Sequence, residues 1–248
     1  WTGAATVLLL VAAWDALARQ LGPLVLPTPQ ETLASLTQIL RSPAAWLDLG
    51  ATARRALYGY GLSVLAGAVL GMAAGASITA TMMARPLVTL LIGMPPIAWL
   101  VLALLWFGSG DATPVFTVFV ACFPIIFVGA LQGTRTLDGR LRELAQAYRL
   151  PLTQRFADVY LPHIASYLFA ACITALGVSW KVVLMAELLA TSDGAGAQLA
   201  ATRSHLDMGG TLAWVSAVVG LLLAAEYLLL EPIRREMERW RADGGGAA

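Results

Sequence analysis

Six runs of apolar residues divide the chain, and each is about as long as the roughly 20 residues that a helix needs to cross a bilayer. Helices suit such runs because they satisfy their own backbone hydrogen bonds in lipid. Only 12% of the 248 residues are charged, against about 25% in a typical soluble domain. The sequence therefore predicts an all-α membrane protein with a single domain over residues 1–248. The predicted spans are about 1–18, 56–78, 86–107, 112–132, 166–188 and 211–230.

The arginine positions predict which side of the membrane each loop faces. If the N-terminus is cytoplasmic, Arg85, five arginines in the loop at 133–165 and four in the tail after Glu231 face the cytoplasm. Only five arginines then face outwards: Arg19, Arg41, Arg54, Arg55 and Arg203. Ten against five agrees with the excess of basic residues in cytoplasmic loops. Both termini and the long loop are therefore expected in the cytoplasm, and the glycine-rich end at about 240–248 is expected to be a flexible tail.

Two local patterns add detail to this outline. Gly67, Gly71 and Gly75 recur every four residues in the second span, so they lie on one helix face and permit a neighbouring helix to come close. We interpret them as packing residues. Further upstream, Thr28 or Thr32 could cap a short helix that runs to about residue 40.

Two charged residues, Lys181 and Glu187, lie inside the fifth span. A charge at membrane depth costs at least about 2.5 kcal/mol, so it usually faces a cavity or a partner. Because the two are six residues apart, they lie on different faces of one helix. Each could line a solute path, snorkel to the surface or pair with a neighbouring helix. Trp180 could act as a gate or simply pack, and with Trp99 of the third span it completes the candidate path residues.

The loop at 133–165 predicts two short helices set at an angle. Pro151 ends the first helix and suits the first turn of the second, and Pro162 is expected to close the second. The first helix has an apolar face at helical spacing, formed by Leu141, Leu144, Ala145 and Tyr148. Such a loop could dock a cytoplasmic partner, or it could lie on the lipid headgroups, which its five arginines also favour.

This loop resembles the coupling loop of bacterial ABC-importer permeases, whose pattern is Glu-Ala-Ala, three residues, Gly, nine residues, Ile-x-Leu-Pro. Glu143 and Ala145 match the first and third positions, and Leu161-Pro162 follows at the expected distance. Leu144 replaces the middle alanine. Arg149 replaces the glycine that normally permits a left-handed turn. Keeping that turn with a non-glycine residue costs roughly 1 kcal/mol.

Four further segments are similar to the nitrate/sulfonate/taurine/bicarbonate branch of these permeases. They are Leu26-Pro27-Thr28-Pro29, Pro95-Pro96-Ile97-Ala98-Trp99, Trp106-Phe107-Gly108-Ser109-Gly110, and Ser179-Trp180-Lys181-Val182-Val183 with Ala186-Glu187. The resemblance extends from about residue 26 to residue 241. It implies a type I ABC-importer permease of the bacterial inner membrane that imports a small organic or inorganic anion, and Lys181 would suit an anion.

The resemblance also implies the partners. Permeases of this type work in pairs, commonly as homodimers, with two cytoplasmic ATPase subunits that bind ATP and Mg²⁺ and with a periplasmic or extracellular solute-binding protein. The residues it assigns to ATPase coupling are Glu143, Ala145, Arg149, Leu161 and Pro162. The chain has no Gly-x-x-x-x-Gly-Lys-Ser/Thr segment, so we expect it to be a transport subunit that needs no cofactor of its own.

The main alternative is an ion-coupled secondary transporter or channel that needs no ATPase. Lys181 and Glu187 could then serve as the coupling site. The sequence shows no obvious inverted repeat of the kind that such transporters often carry. A metal site is not indicated, because His163 and His205 lack further ligands at suitable spacing.

Overall fold

The computed structural model describes residues 2–22, 25–136, 151, 154 and 160–230. All regular structure in these residues is helical. The helices are α1 (Thr2–Leu21), α2 (Pro29–Arg41), α3 (Pro43–Gly75), α4 (Ile78–Gly93), α5 (Pro96–Phe107), α6 (Ala112–Arg135), α7 (Leu161–Ala190), α8 (Ala195–Ser204) and α9 (Met208–Ala225). A π-helical turn, Glu226–Leu230, continues α9.

Four of these helices are long and apolar enough to cross a membrane: α3, α6, α7 and the segment Met208–Leu228. A fifth span results if α4 and α5, which meet at 92°, count together as one broken span. Helix α1 covers the first predicted span. The all-α membrane fold predicted from the sequence is therefore confirmed, and its count of about six spans is approximately right.

The third predicted span, 86–107, is wrong in detail. Helix α4 begins earlier, at Ile78, and runs through Pro86 to Gly93. The helix then breaks at Met94 and Pro95, whose backbones are extended with ψ of 124° and 140°. A residue that precedes proline is pushed away from the helical conformation, and Met94 and Pro95 each precede one. The chain therefore turns through 92° before α5 begins.

The predicted glycine face is confirmed as the contact between α3 and α6. A Cβ atom on Gly67 would lie 2.9 Å from the Ile126 side chain, and one on Gly75 would lie 2.7 Å from Thr134. On the same face, the Ser63 hydroxyl donates a hydrogen bond of 3.0 Å to the Phe119 carbonyl of α6. Small residues thus let the two helices approach closely.

Helix α6 packs against α7 on its other side, so that α3, α6 and α7 form the core of the bundle. Gly133 of α6 lies against Ile164, and Gly129 lies against Ala171. Helix α2 lies against α9, and α8 connects α7 to α9. The fifth predicted span began at 166, whereas α7 begins at Leu161.

Candidate functional site

Arg55 is the centre of a charged cluster at one end of the bundle, where α3 meets the α5–α6 and α7–α8 connections. Its side chain is 2% exposed. Its Nε donates a hydrogen bond to Asp111 Oδ1 at 2.7 Å. Its Nη1 donates to Glu187 Oε1 at 2.7 Å and to the Asp193 carbonyl at 2.9 Å, and its Nη2 donates to Asp193 Oδ1 at 2.7 Å. One guanidinium therefore joins three carboxylates from three parts of the chain.

Glu187 is the fully buried member of this cluster, with 0% of its side chain exposed. Besides the Arg55 guanidinium, it accepts a hydrogen bond from the Thr52 hydroxyl at 2.8 Å and one from the Gly196 backbone N–H at 3.0 Å. A buried carboxylate is tolerated when it has both a counter-charge and hydrogen-bond donors, and Glu187 has both. Of the alternatives left open by the sequence, pairing with a neighbouring helix is the one observed in this state.

Helix α8 begins against this cluster, and side chains of α3 cap its first turn. The Gly194 N–H donates to Asp48 Oδ1 at 2.8 Å, and the Ala195 N–H donates to Thr52 Oγ1 at 2.8 Å. These are the backbone donors that a helix leaves unsatisfied at its start, where carboxylates are also favoured by the helix dipole. Gly194 has a φ of 98°, and a Cβ atom there would lie 2.6 Å from Glu187 Oε1, so glycine is required at this position.

Lys181 lies on a different face of α7 from Glu187, as the six-residue spacing predicts. Its side chain is exposed, and none of the residues that the structure describes forms a hydrogen bond or ion pair with it. Thr174, about two helical turns before Lys181, is exposed too, and a Cβ atom on Gly177 would meet nothing within 4 Å. Lys181 is thus an exposed charge on a face that carries Gly177 and Thr174 towards the start of α7 and the apolar Leu184 and Met185 towards its end.

A groove of about 690 Å³ between α6 and α7 continues this face towards the start of α7. Its polar lining residues are Gln132, His163, Ser166, Tyr167 and Thr174. His163 Nε2 lies 3.2 Å from the Thr136 hydroxyl. Within the described residues, no group of three or more His, Cys, Asp or Glu side chains is arranged to hold a metal ion.

The two tryptophans among the candidate path residues lie elsewhere. Trp180 is 2% exposed and packs in the core. Trp99 lines an apolar cavity of about 1050 Å³ bounded by α3, α4, α5 and α6. The indole N–H groups of both residues are buried without an acceptor in the described part of the chain. Neither tryptophan contributes to the Arg55 cluster.

Of the predicted coupling residues, Glu143, Ala145 and Arg149 lie outside the described residues. Leu161 and Pro162 form the first turn of α7, and Leu161 is 46% exposed. We expected Pro162 to close the second helix of the loop, and this expectation is wrong. Pro162 lies in the first turn of α7, where proline's missing N–H removes no intrahelical bond.

Arg55, Asp111 and Asp193 were not predicted from the sequence as members of the cluster. Arg55 entered only as one of five outward-facing arginines. A signal was available, because a buried Glu187 needs a cation, and Arg54 and Arg55 adjoin the second predicted span at the same side of the membrane. That signal does not choose between them, and the structure selects Arg55, whereas Arg54 is 50% exposed.

Comparison with known families identifies this architecture. Residues 44–235 match the model of the binding-protein-dependent transport system inner membrane component. The chain belongs to this family. It is thus a permease component of an ABC importer that depends on a binding protein, as the coupling-loop pattern and the four motifs predict, and nothing in the comparisons favours a secondary transporter or channel.

Individual relatives match the permease over most of its length. The taurine transport system permease protein of Escherichia coli is 28% identical over 96% of this chain and 89% of its own length. The putative aliphatic sulfonates transport permease protein of Bacillus subtilis is 26% identical, with 88% and 78% covered. A nitrate import permease protein of Leptolyngbya laminosa is 27% identical over 60% of this chain and 53% of its own length. The branch predicted from the motifs is confirmed.

Proposed function

We propose that this permease imports a small anion across the bacterial inner membrane, driven by a separate ATPase. Three relatives are named for taurine, aliphatic sulfonates and nitrate. Sulfonates and nitrate share a compact, oxygen-bearing anionic group. The observation that carries the anion proposal in this chain is that Lys181 is exposed and forms no ion pair with any described residue.

The depth of Lys181 supports a place in the path. It lies nine residues before the end of α7 at Ala190, or roughly 14 Å along the axis at about 1.5 Å per residue. This is near the middle of a hydrocarbon core about 30 Å thick. A lone ammonium in contact with lipid there costs at least about 2.5 kcal/mol, so such residues normally face a water-filled cavity or a counter-charge. An anion in transit supplies that charge.

The proposed path lies between two copies of the permease, which we propose to be a homodimer. The support is the exposed face of α7 around Lys181, which no other described helix of the same chain covers. The sequence also predicts Trp180, Trp99 and Glu187 as path residues. In this structure Trp180 and Glu187 are buried and Trp99 lines the apolar cavity, so the path proposal rests on Lys181. For Glu187 we also propose a second role, in which its carboxylate holds the start of α8 against α3.

Coupling to ATP is proposed to run through residues 133–165. Two ATPase subunits, which bind ATP and Mg²⁺, dock on this loop. Glu143 anchors its first helix, Ala145 keeps the contact close, and Arg149 occupies the turn. Leu161 and Pro162 are the first turn of the helix that also carries Lys181, so a force on the loop reaches the path through one rigid element. In this scheme both termini are cytoplasmic, and the solute-binding protein docks at the Arg55 end.

The importer assembly is tested by affinity purification of the permease from its native host in mild detergent, followed by mass spectrometry. We expect a stoichiometric ATP-binding subunit that is lost when residues 143–162 are scrambled. A homo-oligomer that carries no ATPase in several detergents contradicts the proposal and restores the secondary transporter.

The anion path is tested by uptake measurements on Lys181→Met and Lys181→Arg. We expect Lys181→Met to reduce anion import by about tenfold or more, equivalent to about 1.4 kcal/mol, and Lys181→Arg to retain most of it. Leu189→Met is the matched control, because Leu189 is also exposed on α7 but is apolar. Unchanged import by Lys181→Met would remove Lys181 from the path.

A further inference from the structure

A cleft of about 470 Å³ lies between α4 and α6, at the end of the bundle opposite the Arg55 cluster. Two arginines, Arg85 and Arg135, line it. Neither forms an ion pair or a side-chain hydrogen bond with any residue that the structure describes. Among the described residues, the polar remainder of the lining consists of Thr81, Thr89, Gln132 and Thr136, and none of these carries a carboxylate. The cleft therefore presents two positive charges that no described residue neutralises, and several uncharged polar groups.

Apolar residues of the same two helices complete the lining of the cleft. They are Val88, Ile92, Phe127, Val128 and Leu131. Val88, Thr89 and Phe127 also line the cavity of about 1050 Å³ that contains Trp99. The cleft thus adjoins a much larger space whose walls are almost entirely apolar, including Leu70 and Leu87.

The cleft lies at the depth of the lipid headgroups. Arg135 is the last residue of α6, which has 24 residues and is therefore roughly 36 Å long at about 1.5 Å per residue. Because the hydrocarbon core is about 30 Å thick, a helix of this length places its last turn in the interfacial region. Arg85 lines the same cleft.

We propose that this cleft binds an anionic phospholipid, with its phosphate on Arg85 and Arg135 and an acyl chain in the adjoining apolar cavity. Arginine donates paired hydrogen bonds to phosphate in a fixed, planar geometry. Basic pockets between membrane helices bind acidic headgroups in this way. A free inorganic anion would use the arginines but would leave the apolar cavity unfilled.

The bound lipid would fill the space between α4 and the core helices α3 and α6. Helix α4 turns away from α5 at Met94 and Pro95, and the two cavities separate part of it from α3 and α6. A lipid there fills space that the protein's own side chains leave open. This site is independent of the transported solute, and its test does not use transport.

The test is retention of lipid by the purified full-length permease in mild detergent, measured by native mass spectrometry. Phosphatidylglycerol, zwitterionic phosphatidylcholine and inorganic phosphate are the three probes. At about 1 kcal/mol for each basic residue near an anionic headgroup, two arginines favour phosphatidylglycerol over phosphatidylcholine by roughly 10- to 30-fold. We expect the variant Arg85→Gln/Arg135→Gln to lose this preference.

Two further variants make the result specific. Arg41→Gln/Arg203→Gln removes the same charge from exposed sites at the other end of the bundle and should leave the preference unchanged. Ala84→Phe narrows the apolar cavity and should reduce phosphatidylglycerol retention while both arginines remain. Equal retention of the two lipids by the unmodified permease overturns the proposal. So does displacement of phosphatidylglycerol by millimolar phosphate, which would identify a site for soluble anions, or its displacement by the ATPase subunit, which would identify a protein contact.

Discussion

Replacing Arg55 by methionine tests the charged cluster most directly, because it removes the only cation that contacts Glu187 among the described residues. Asp111 and Asp193 also lose Arg55, but their side chains are 52% and 56% exposed, so water can solvate them. Asp111 keeps its bond of 2.7 Å to Arg54. Glu187 is 0% exposed and has no such substitute. Breaking a buried ion pair by removing one partner costs about 3–5 kcal/mol, and we expect that loss here.

The reverse change, Glu187→Gln, should be milder. Arg55 would keep Asp111 and Asp193, so the loss is close to that of one hydrogen bond to a charged group, about 1.5–3 kcal/mol. Whether Glu187→Gln stabilises or destabilises the protein should also depend on the presence of Arg55. In the Arg55→Met background the unpaired buried charge at Glu187 is the source of the damage, and therefore Glu187→Gln should stabilise that variant.

Thermal unfolding of the four proteins in one detergent measures this cycle. At about 2–4 °C per kcal/mol for a chain of this size, Arg55→Met should lower the Tm by roughly 6–20 °C. Arg54→Met is the matched control, since Arg54 is 50% exposed and its one ion pair contributes about 1 kcal/mol or less. Equal Tm shifts for the two arginine variants would contradict a buried ion pair at Arg55, and so would a Glu187→Gln change that is equally destabilising with and without Arg55.

The other predictions concern packing, capping and coupling. Gly71→Ala should destabilise the permease by about 1–3 kcal/mol, because its Cβ would contact the Ala130 side chain at 2.8 Å. The control is Gly61→Ala, whose Cβ would meet nothing within 4 Å and which should be neutral or stabilising by up to about 1 kcal/mol. Equal Tm values for the two variants would contradict the close contact at Gly71. Thr28→Ala removes the capping box at the start of α2 and should lower stability by about 0.5–2 kcal/mol in a Tm measurement. Glu143→Ala, or Ala145 replaced by tryptophan, should weaken ATPase co-purification while membrane insertion persists, and full uptake by both variants would exclude the coupling assignment.

Features that depend on local sequence could be predicted. The glycine face of α3 follows from the four-residue repeat of Gly67, Gly71 and Gly75, because helix geometry fixes which residues share a face. The separate faces of Lys181 and Glu187 follow from the same geometry. For the cap of α2 the sequence offered Thr28 or Thr32, and the structure places it at Thr28. The Thr28 and Glu31 side chains satisfy each other's backbone N–H groups at 3.2 Å and 2.8 Å.

Features that depend on contacts between distant segments could not be predicted from the sequence. Arg55 and Glu187 are 132 positions apart, and no periodicity links them. The proline pair at 95 and 96 was visible, but the angle of 92° depends on how α5 packs against α6 and α7. The coupling loop was predicted from a spacing pattern alone, and it stays a prediction at Glu143, Ala145 and Arg149.

The capping of α8 also limits which parts of the permease can move separately. Glu187 holds a side chain of α3 and a backbone N–H of α8 at the same time, and Asp48 and Thr52 of α3 hold the two preceding N–H groups. A sliding movement between α3, α7 and the start of α8 would break several of these hydrogen bonds together, so we expect the three elements to move as one rigid body. The hinge of the transport cycle is then expected outside this rigid body. The extended backbone at Met94 and Pro95 is the hinge position that can absorb a rotation of α4 relative to α5.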